Sequence, residues 1–577
     1  MVQLVVTYSE FFDNIDKVDY QRLLKDFGKE ELIEVFTHII SSLNFKTKTL
    51  QESEFEFTNN LILSYPPEIS SYLSYMLNKI QKDTRSQPMI FFNVNCMFLI
   101  QVALKEISYF SKVPTIDKEI NLFKSFLLFN EYFTKRKETI KNDENISRDE
   151  KFLKNYIPML ISDLEFLEDK DVVVQSLKFK KFIEFLEQNN EYNKYLTKYY
   201  IKLKVKNWKE YLKYIWFTYA HLYQDINHNL GIDQLNYVLR LDRTMHTKEI
   251  EFWNSYSVNN KVDVLKTSLS LEQELDFKLL RQYPVYKKAS RDNRFIDFIV
   301  LNVHFIADKL YQSVRFEFGD VVKESGGRDY YNGFNTDISD HFTHKKLLHE
   351  TLDYCFENFA SVKRRGDIKE KKEEDYSDYY LRSGNKIFLF ELKDCIMNAS
   401  TKHSMNYRKI FQDIKKNFIN PKGSLQLLNV MERINNGKFN IDKIESNRIT
   451  IYPIIVYTDI SYSCNGINYL VLKDFKSMAT NYSFKSKVVD VTMINIDFFI
   501  RFQDLLSNRT ITLDNVIDNY IHYISEESKD YQSEGVINET MFTDFYDYFK
   551  FIFFKNGDYP QENPIEFIKL SDDVINN

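Results

Sequence analysis

From about residue 10 to about residue 300 the apolar positions recur every three or four residues, the period of a helix that buries one face. Ile116, Ile120, Phe123 and Leu127 make one such stripe, and Phe179, Phe182, Ile183 and Leu186 make another, so this half is predicted to be α-helical. The most apolar stretch, Met89–Leu104, is interrupted by Asn93, Asn95 and Gln101 and is too short to span a bilayer. It predicts a buried helix or strand pair and no membrane role. Thr134–Lys151 has no apolar face and reads as an exposed loop or helix extension. No segment repeats at a fixed period, so a solenoid is not expected.

Past about residue 300 the texture changes. Ser377–Arg382, Ile387–Asp394, Ile449–Thr458 and Val488–Ile496 read as strands. A helix with the stripe Leu348, Leu352, Cys355, Phe356 and Phe359 precedes them, and another around Ser424–Asn435 lies between the second and third. The charged stretch Lys363–Glu374 is predicted to be a solvated, mobile connection. The expected fold class is therefore α+β. A mainly α-helical region, residues 1–300 and divisible into two subdomains, would serve recognition, regulation or oligomerisation, followed by a mixed α and β domain over 301–577.

A chain of 577 residues exceeds what one hydrophobic core usually organises, and only 13 glycines favour long helices over turn-rich β architecture. The net charge of −6 supplies no global basic field, so any nucleic-acid contact must come from local patches. Cys96, Cys355, Cys395 and Cys464 lie far apart, which argues against a zinc ribbon, a redox motif or a disulfide framework and points to a reducing cytoplasm. The start, Met1 to Glu10, has neither the basic region nor the apolar run of a signal peptide. No P-loop, G-x-G-x-x-G or G-x-S-x-G motif occurs, so nucleotide hydrolysis, dinucleotide binding and serine-hydrolase chemistry have no motif behind them.

The segment with chemistry in it is Asp378-Tyr-Tyr-Leu-Arg-Ser-Gly-Asn-Lys-Ile-Phe-Leu-Phe-Glu391-Leu-Lys393-Asp394. Arg382 to Lys386 is turn chemistry between two extended runs, which predicts a β-hairpin. In a strand, residues two apart share a face, so Glu391 and Lys393 project together while Phe390 and Leu392 point the other way. Antiparallel pairing returns Asp378 beside them, and two carboxylates suit a hard cation such as magnesium, with manganese as a substitute. A lysine there can orient or help deprotonate an attacking water and offset transition-state charge. The E-x-K triplet also occurs at Glu370/Lys372 and Glu527/Lys529, but only the one at 391 follows an apolar strand with an aspartate one hairpin arm upstream.

With these residues in place, roughly residues 340 to 480 resemble the PD-(D/E)XK, or restriction-endonuclease-like, nuclease superfamily. The resemblance implies an αβββαβ core, Asp378 and Glu391 as metal ligands and Lys393 as the catalytic lysine. Ser377 stands where the family pattern has proline, and no segment stands out as the first core strand. The resemblance further implies that Gln426, in Lys422-Gly-Ser-Leu-Gln426, can approach the active site to hold a water or phosphate oxygen. It also makes Glu350 the candidate for a first-helix glutamate, although Glu350 falls opposite the apolar stripe.

Lys194, Lys198, Lys202, Lys206, Lys209 and Lys213 fall within one arc of a helical projection, a face that could follow a phosphate backbone with Tyr195 and Tyr199 beside it. An ordinary solvated face is the alternative. His341, His344 and His349 match no zinc spacing, and His349, beside the apolar stripe, reads as a half-buried hydrogen-bonded residue. The expected function is a magnesium-dependent endonuclease acting on nucleic acid, DNA ahead of RNA, with a homodimer plausible because double-strand cleavage needs two sites. By family analogy it would be an antiviral defence or restriction effector. The alternative is a nucleic-acid-binding or scaffold protein that keeps the fold without turnover.

Overall fold

The computed structural model describes residues 3–10, 12, 18–44, 70–71, 74–75, 78, 87–105, 117–135, 148–167, 170–223, 236–261, 274–288, 292–358, 362–365, 377–439, 442, 444, 448–530, 539–550 and 562–576. The fold is mixed α and β, with a largely helical N-terminal half. It divides into two compact units. The first comprises Met1–Glu138, Glu165–Asp171 and Leu196–Glu317, and the second Thr139–Leu164, Val172–Tyr195 and Phe318–Asn577. No helix among the described residues is long and apolar enough to cross a membrane.

In the first unit the helices Lys29–Leu43, Asn93–Leu104 and Asp117–Lys135 pack together. Met89–Leu104 thus resolves into the last residue of a short strand, β2 (Gln87–Met89, paired with β1, Gln3–Val5), and a buried helix. Asn95 and Asn130, both fully buried, satisfy each other, and Asn95 also bonds the Ile90 carbonyl, so the polar interruptions are paid in hydrogen bonds. Phe123 and Leu127 are buried as their spacing predicts, while Ile116 and residues 136–147 of the charged segment lie outside the described residues. The periodicity did not reveal a three-stranded antiparallel sheet, β3 (Val238–Asp242), β5 (Phe295–Val300) and β4 (Val285–Lys288), with β5 in the middle. Its outer cross-strand pair, Arg240 opposite Asp297, is bidentate at 2.8 Å for each bond.

The second unit is organised by a six-stranded sheet ordered β10-β9-β8-β7-β6, with β11 also beside β9. Its strands are β6 (Val362–Arg365), β7 (Tyr379–Ser383), β8 (Lys386–Lys393), β9 (Thr450–Tyr457), β10 (Lys487–Val488) and β11 (Thr492–Asn495). β6, β7 and β8 are antiparallel in succession, whereas β8 and β9 run parallel, which requires a crossover. The helix Ser424–Asn435 makes that crossover and packs on both strands. β8 and β9 are buried along all but their first residue, and Phe388 stacks on its cross-strand neighbour Tyr452 at 4.8 Å.

Three expectations need correcting here. Lys363, Arg364 and Arg365, read as part of a mobile linker, form β6; the charged sequence hid an edge strand, where such residues are well tolerated, and residues 366–376 lie outside the described residues. Val488–Ile496 is two short strands, because pairing with β9 lapses between Val488 and Thr492 and Asn495 then caps the helix Ile496–Arg501. The helix before the strands ends at Cys355, its preceding part Ile338–His349 is wound with the wider π hydrogen-bond pattern, and Phe359 lies outside the described residues.

Lys386, at the start of β8, makes an ion pair with Asp514, which sits on the helix Leu513–Asp530. Burial alone would raise the Asp514 carboxyl, but its bond from Lys386 holds it below the usual carboxylate range. A depressed folded-state pKa contributes stability that is present above the unfolded value and disappears as pH falls through the folded one. Asp514→Asn should therefore lower the urea midpoint near neutral pH and flatten its decline below about pH 4. Parallel acid limbs for the wild type and the variant in urea titrations would show that the pair contributes nothing.

Candidate active site

The hairpin is set by a two-residue loop, Gly384-Asn385, in which Gly384 adopts φ 59°, a left-handed backbone that glycine takes without strain. Ser383 then pairs with Lys386 and Tyr379 with Phe390, so the next position outward sets Asp378 opposite Glu391. Phe390 turns to the other face, against Phe356, Tyr379 and Phe499. This is the alternation predicted for Glu391 and Lys393 against Phe390.

On the polar face, Lys393 Nζ donates to Glu391 Oε1 at 2.7 Å and to Gln426 Oε1 at 2.7 Å. Glu391 and Lys393 are 4% and 8% exposed, so the charges are largely withdrawn from water and stabilise each other. Asp378 Oδ2 accepts the Leu392 N–H at 2.7 Å, which locks the carboxylate over the end of β8. Gln426 is fixed by its helix start. Its Oε1 also accepts the Gly423 N–H at 2.9 Å, and Gly423 has φ 66° with its α-carbon so close to the Phe418 carbonyl that a Cβ would lie 2.2 Å from that oxygen. The structure thus brings Glu391, Lys393 and Gln426 into one hydrogen-bonded group, with Asp378 across the hairpin.

Glu350 is not brought in. Its carboxylate is 46% exposed and lies 4.0 Å from Lys181 on the helix Val172–Gln188, in keeping with its position opposite the apolar stripe. His349 contributes structurally: its Nε2–H donates to the Asp378 carbonyl at 3.0 Å, which places the ring proton on Nε2. His344, weighed in the sequence only within a histidine cluster that matches no zinc spacing, has its Nδ1 3.8 Å from Asp378 Oδ1 and, although that nitrogen is buried, without a hydrogen-bond partner. Its position four residues before Leu348 could have flagged it, since that spacing puts it on the face turned to the sheet. His341 is instead 3.8 Å from Asp337.

Next to the site, Asp394 accepts from Thr343 at 3.0 Å and Thr458 at 2.9 Å, ties that join the first helix to the ends of β8 and β9. Burial pushes the Cys395 thiol up to about 12, so it stays protonated and is no nucleophile. Asp378 and Glu391 supply hard oxygen donors of the kind magnesium takes one or two of while keeping several waters. Among the described residues no group of three or more His, Cys, Asp or Glu side chains forms a ready-made cage. The donor chemistry therefore fits a hard cation that takes Asp378 and Glu391 oxygens and keeps several waters.

The six lysines do not share one helix. The helix Asn190–Leu203 carries Lys194, Lys198 and Lys202, the chain breaks at Lys204 with φ 60°, and the helix Trp208–Leu222, capped by Asn207, carries Lys209 and Lys213. Lys206 lies in the turn, where its N–H donates to Glu210. The single-helix projection is thus overturned by a helix stop that the lysine spacing concealed. Lys194, Lys198, Lys202 and Lys206 are exposed, but Tyr195 and Tyr199 are buried, Tyr199 donating to Glu317, so neither ring is a platform for bases.

No known protein family, no curated protein and no solved structure matches this chain. The site therefore stands on its geometry alone.

Removing the ammonium of Lys393 takes from the buried Glu391 the cation bonded to its Oε1, so Lys393→Met should cost about 3–5 kcal/mol. Adding Glu391→Gln should return much of that loss, and a strictly additive double-mutant cycle in urea unfolding would mean the two do not interact. Gly423→Ala forces both a positive φ and a collision with a backbone oxygen and should destabilise by at least about 1–3 kcal/mol, read by the same method.

Proposed function

We propose that this chain is a magnesium-dependent nuclease that hydrolyses phosphodiester bonds, with DNA as the preferred substrate and manganese as an alternative ion. The observation that carries this reading is the bond of Lys393 Nζ to both Glu391 and Gln426, on the strand face that the hairpin register also gives to Asp378. Support also comes from the element order: a helix, three antiparallel strands β6 to β8, a crossover helix and the parallel strand β9, the sequence of elements the resemblance implies. Bound beside Asp378 and Glu391, the cation would polarise the scissile phosphate and lower the pKa of a coordinated water. The chain's own groups do the positioning. Asp378, tethered to the Leu392 N–H, and Glu391, tethered to Lys393, present fixed negative charge. Lys393 has its ammonium aligned by two acceptors and can turn one donor to a phosphate oxygen, where it offsets developing charge. Gln426 holds that ammonium in place and offers its amide N–H to substrate oxygen.

By analogy with stand-alone nucleases that carry a large second region, we assign the chain to antiviral defence or restriction in the cytoplasm, with Lys194, Lys198, Lys202 and Lys206, which are exposed, and the half-buried Lys209 and Lys213 meeting the nucleic-acid backbone and two copies cutting a duplex. Purified protein should cleave plasmid or linear DNA with magnesium or manganese and stop with chelator. Asp378→Asn and Glu391→Gln, which keep the local hydrogen-bonding shapes, should each reduce the rate by about two to three orders of magnitude. Undiminished cleavage in Glu391→Gln would remove the site. Failure of every DNA and RNA substrate with either metal would leave the fold as a binding scaffold.

A further inference from the structure

Second-unit residues of three helices, Arg148–Leu167, Tyr407–Ile414 and Ile467–Ala479, line a half-open cavity of about 370 Å³, and none of them belongs to the Asp378 cluster. That volume is at the lower end of the range of about 300–1,000 Å³ usual for small-molecule sites, room for one small ligand and not for a strand. Its chemistry is divided into three parts. Leu153 and Leu470 are buried beneath it, and Tyr407 and Phe411, one helical turn apart, stack with their rings within 6° of parallel and centroids 5.8 Å apart, so that aromatic side chains form one part of the lining. Glu150, Asp474 and the Tyr469 hydroxyl give it acceptors. Burial raises the Asp474 carboxyl despite Lys415 and Lys473, and burial likewise raises Tyr407, whose hydroxyl feels Glu150 and Asp474.

The third part is cationic: Lys154, Arg408 and Lys473 outnumber the two acids. Lys154 and Lys473 are held to Glu150 only loosely, at 3.5 and 3.8 Å, beyond good hydrogen-bond length, so both ammonium groups can turn to a stronger anion without losing much. An apolar cavity would suit a lipid and a purely basic one inorganic phosphate. A ligand that uses all three parts has a flat ring, N–H donors on the ring edge and an anionic tail.

We propose that this cavity binds a free nucleotide, with the base against Tyr407 and Phe411, its amino edge toward Asp474, and its phosphates on Lys154, Arg408 and Lys473 in place of Glu150. Base-on-aromatic contact and phosphate-on-cation contact each contribute, so a molecule with only one of them binds far less well. The site is separate from the proposed nuclease chemistry and does not depend on it.

Equilibrium dialysis of the full-length protein with radiolabelled ADP, in chelator so that no metal-dependent step intervenes, tests the assignment. Saturable binding at one site per chain is expected, with adenosine and inorganic phosphate each at least about tenfold weaker competitors. Lys473→Glu and Arg408→Glu, both at exposed positions, should each weaken ADP at least about tenfold, and Tyr407→Leu should do the same, with circular dichroism checking that each variant is folded. Lys409→Glu, exposed on the same helix outside the cavity, and Glu391→Gln should bind ADP as the wild type does. Absence of saturable binding at millimolar ADP, equal binding in both cavity charge reversals, or displacement of ADP by a single-stranded oligonucleotide as readily as by ADP itself would overturn it.

Discussion

The register between β7 and β8 is the constraint on which the rest of the site depends. A slip of one residue would turn Glu391 and Lys393 into the apolar layer and Phe390 into the polar one, since side chains alternate strictly along a strand. Several independent features hold the register. The two-residue loop allows only one pairing, Tyr379 bonds Asp353 on the preceding helix, and Tyr380 and Arg382 both engage Asp442. Each fixes a different residue of β7, so no single bond decides the alignment. Asp378 adds a bond across the open end of the hairpin, where pairing would otherwise fray.

That arrangement sets the electrostatics. Two acids and an ammonium at the end of a buried strand would be costly if any one lacked a partner, because desolvation of an isolated ion exceeds what nearby dipoles return. Here each charge has a named bond: Lys393 to Glu391 and Gln426, Asp378 to a backbone N–H. The parallel neighbour β9 shields the strand from one side and β7 from the other, so the group is rigid as well as dry. A site positioned on strands in this way needs no loop closure to align its polar atoms.

How much of this could be read in the sequence depends on what each residue reports. The hairpin and its alternation were legible because the turn residues and the apolar run Ile387 to Phe390 are local signals, and the strand limits differ from the observed ones by one or two residues. β6 was not, because Lys363 to Arg365 look like linker chemistry and only the edge position explains them. The lysine face failed at Lys204, where a left-handed backbone conformation stops the helix with no glycine or proline to announce it. Gln426 is a different case: the resemblance of its motif pointed it toward the site, but its bond to Lys393 follows from a turn at Gly423 and a crossover between two parallel strands, a long-range outcome that no local periodicity reports.

The shared oxygen of Gln426 has one more consequence. Because the same atom caps its own helix through Gly423 and receives the ammonium of Lys393, departure of the ammonium toward another partner leaves the cap intact. The amide then behaves as a fixed post, not a latch. What holds the backbone at this turn is therefore independent of the lysine, and the scaffold keeps its shape whichever partner the ammonium has.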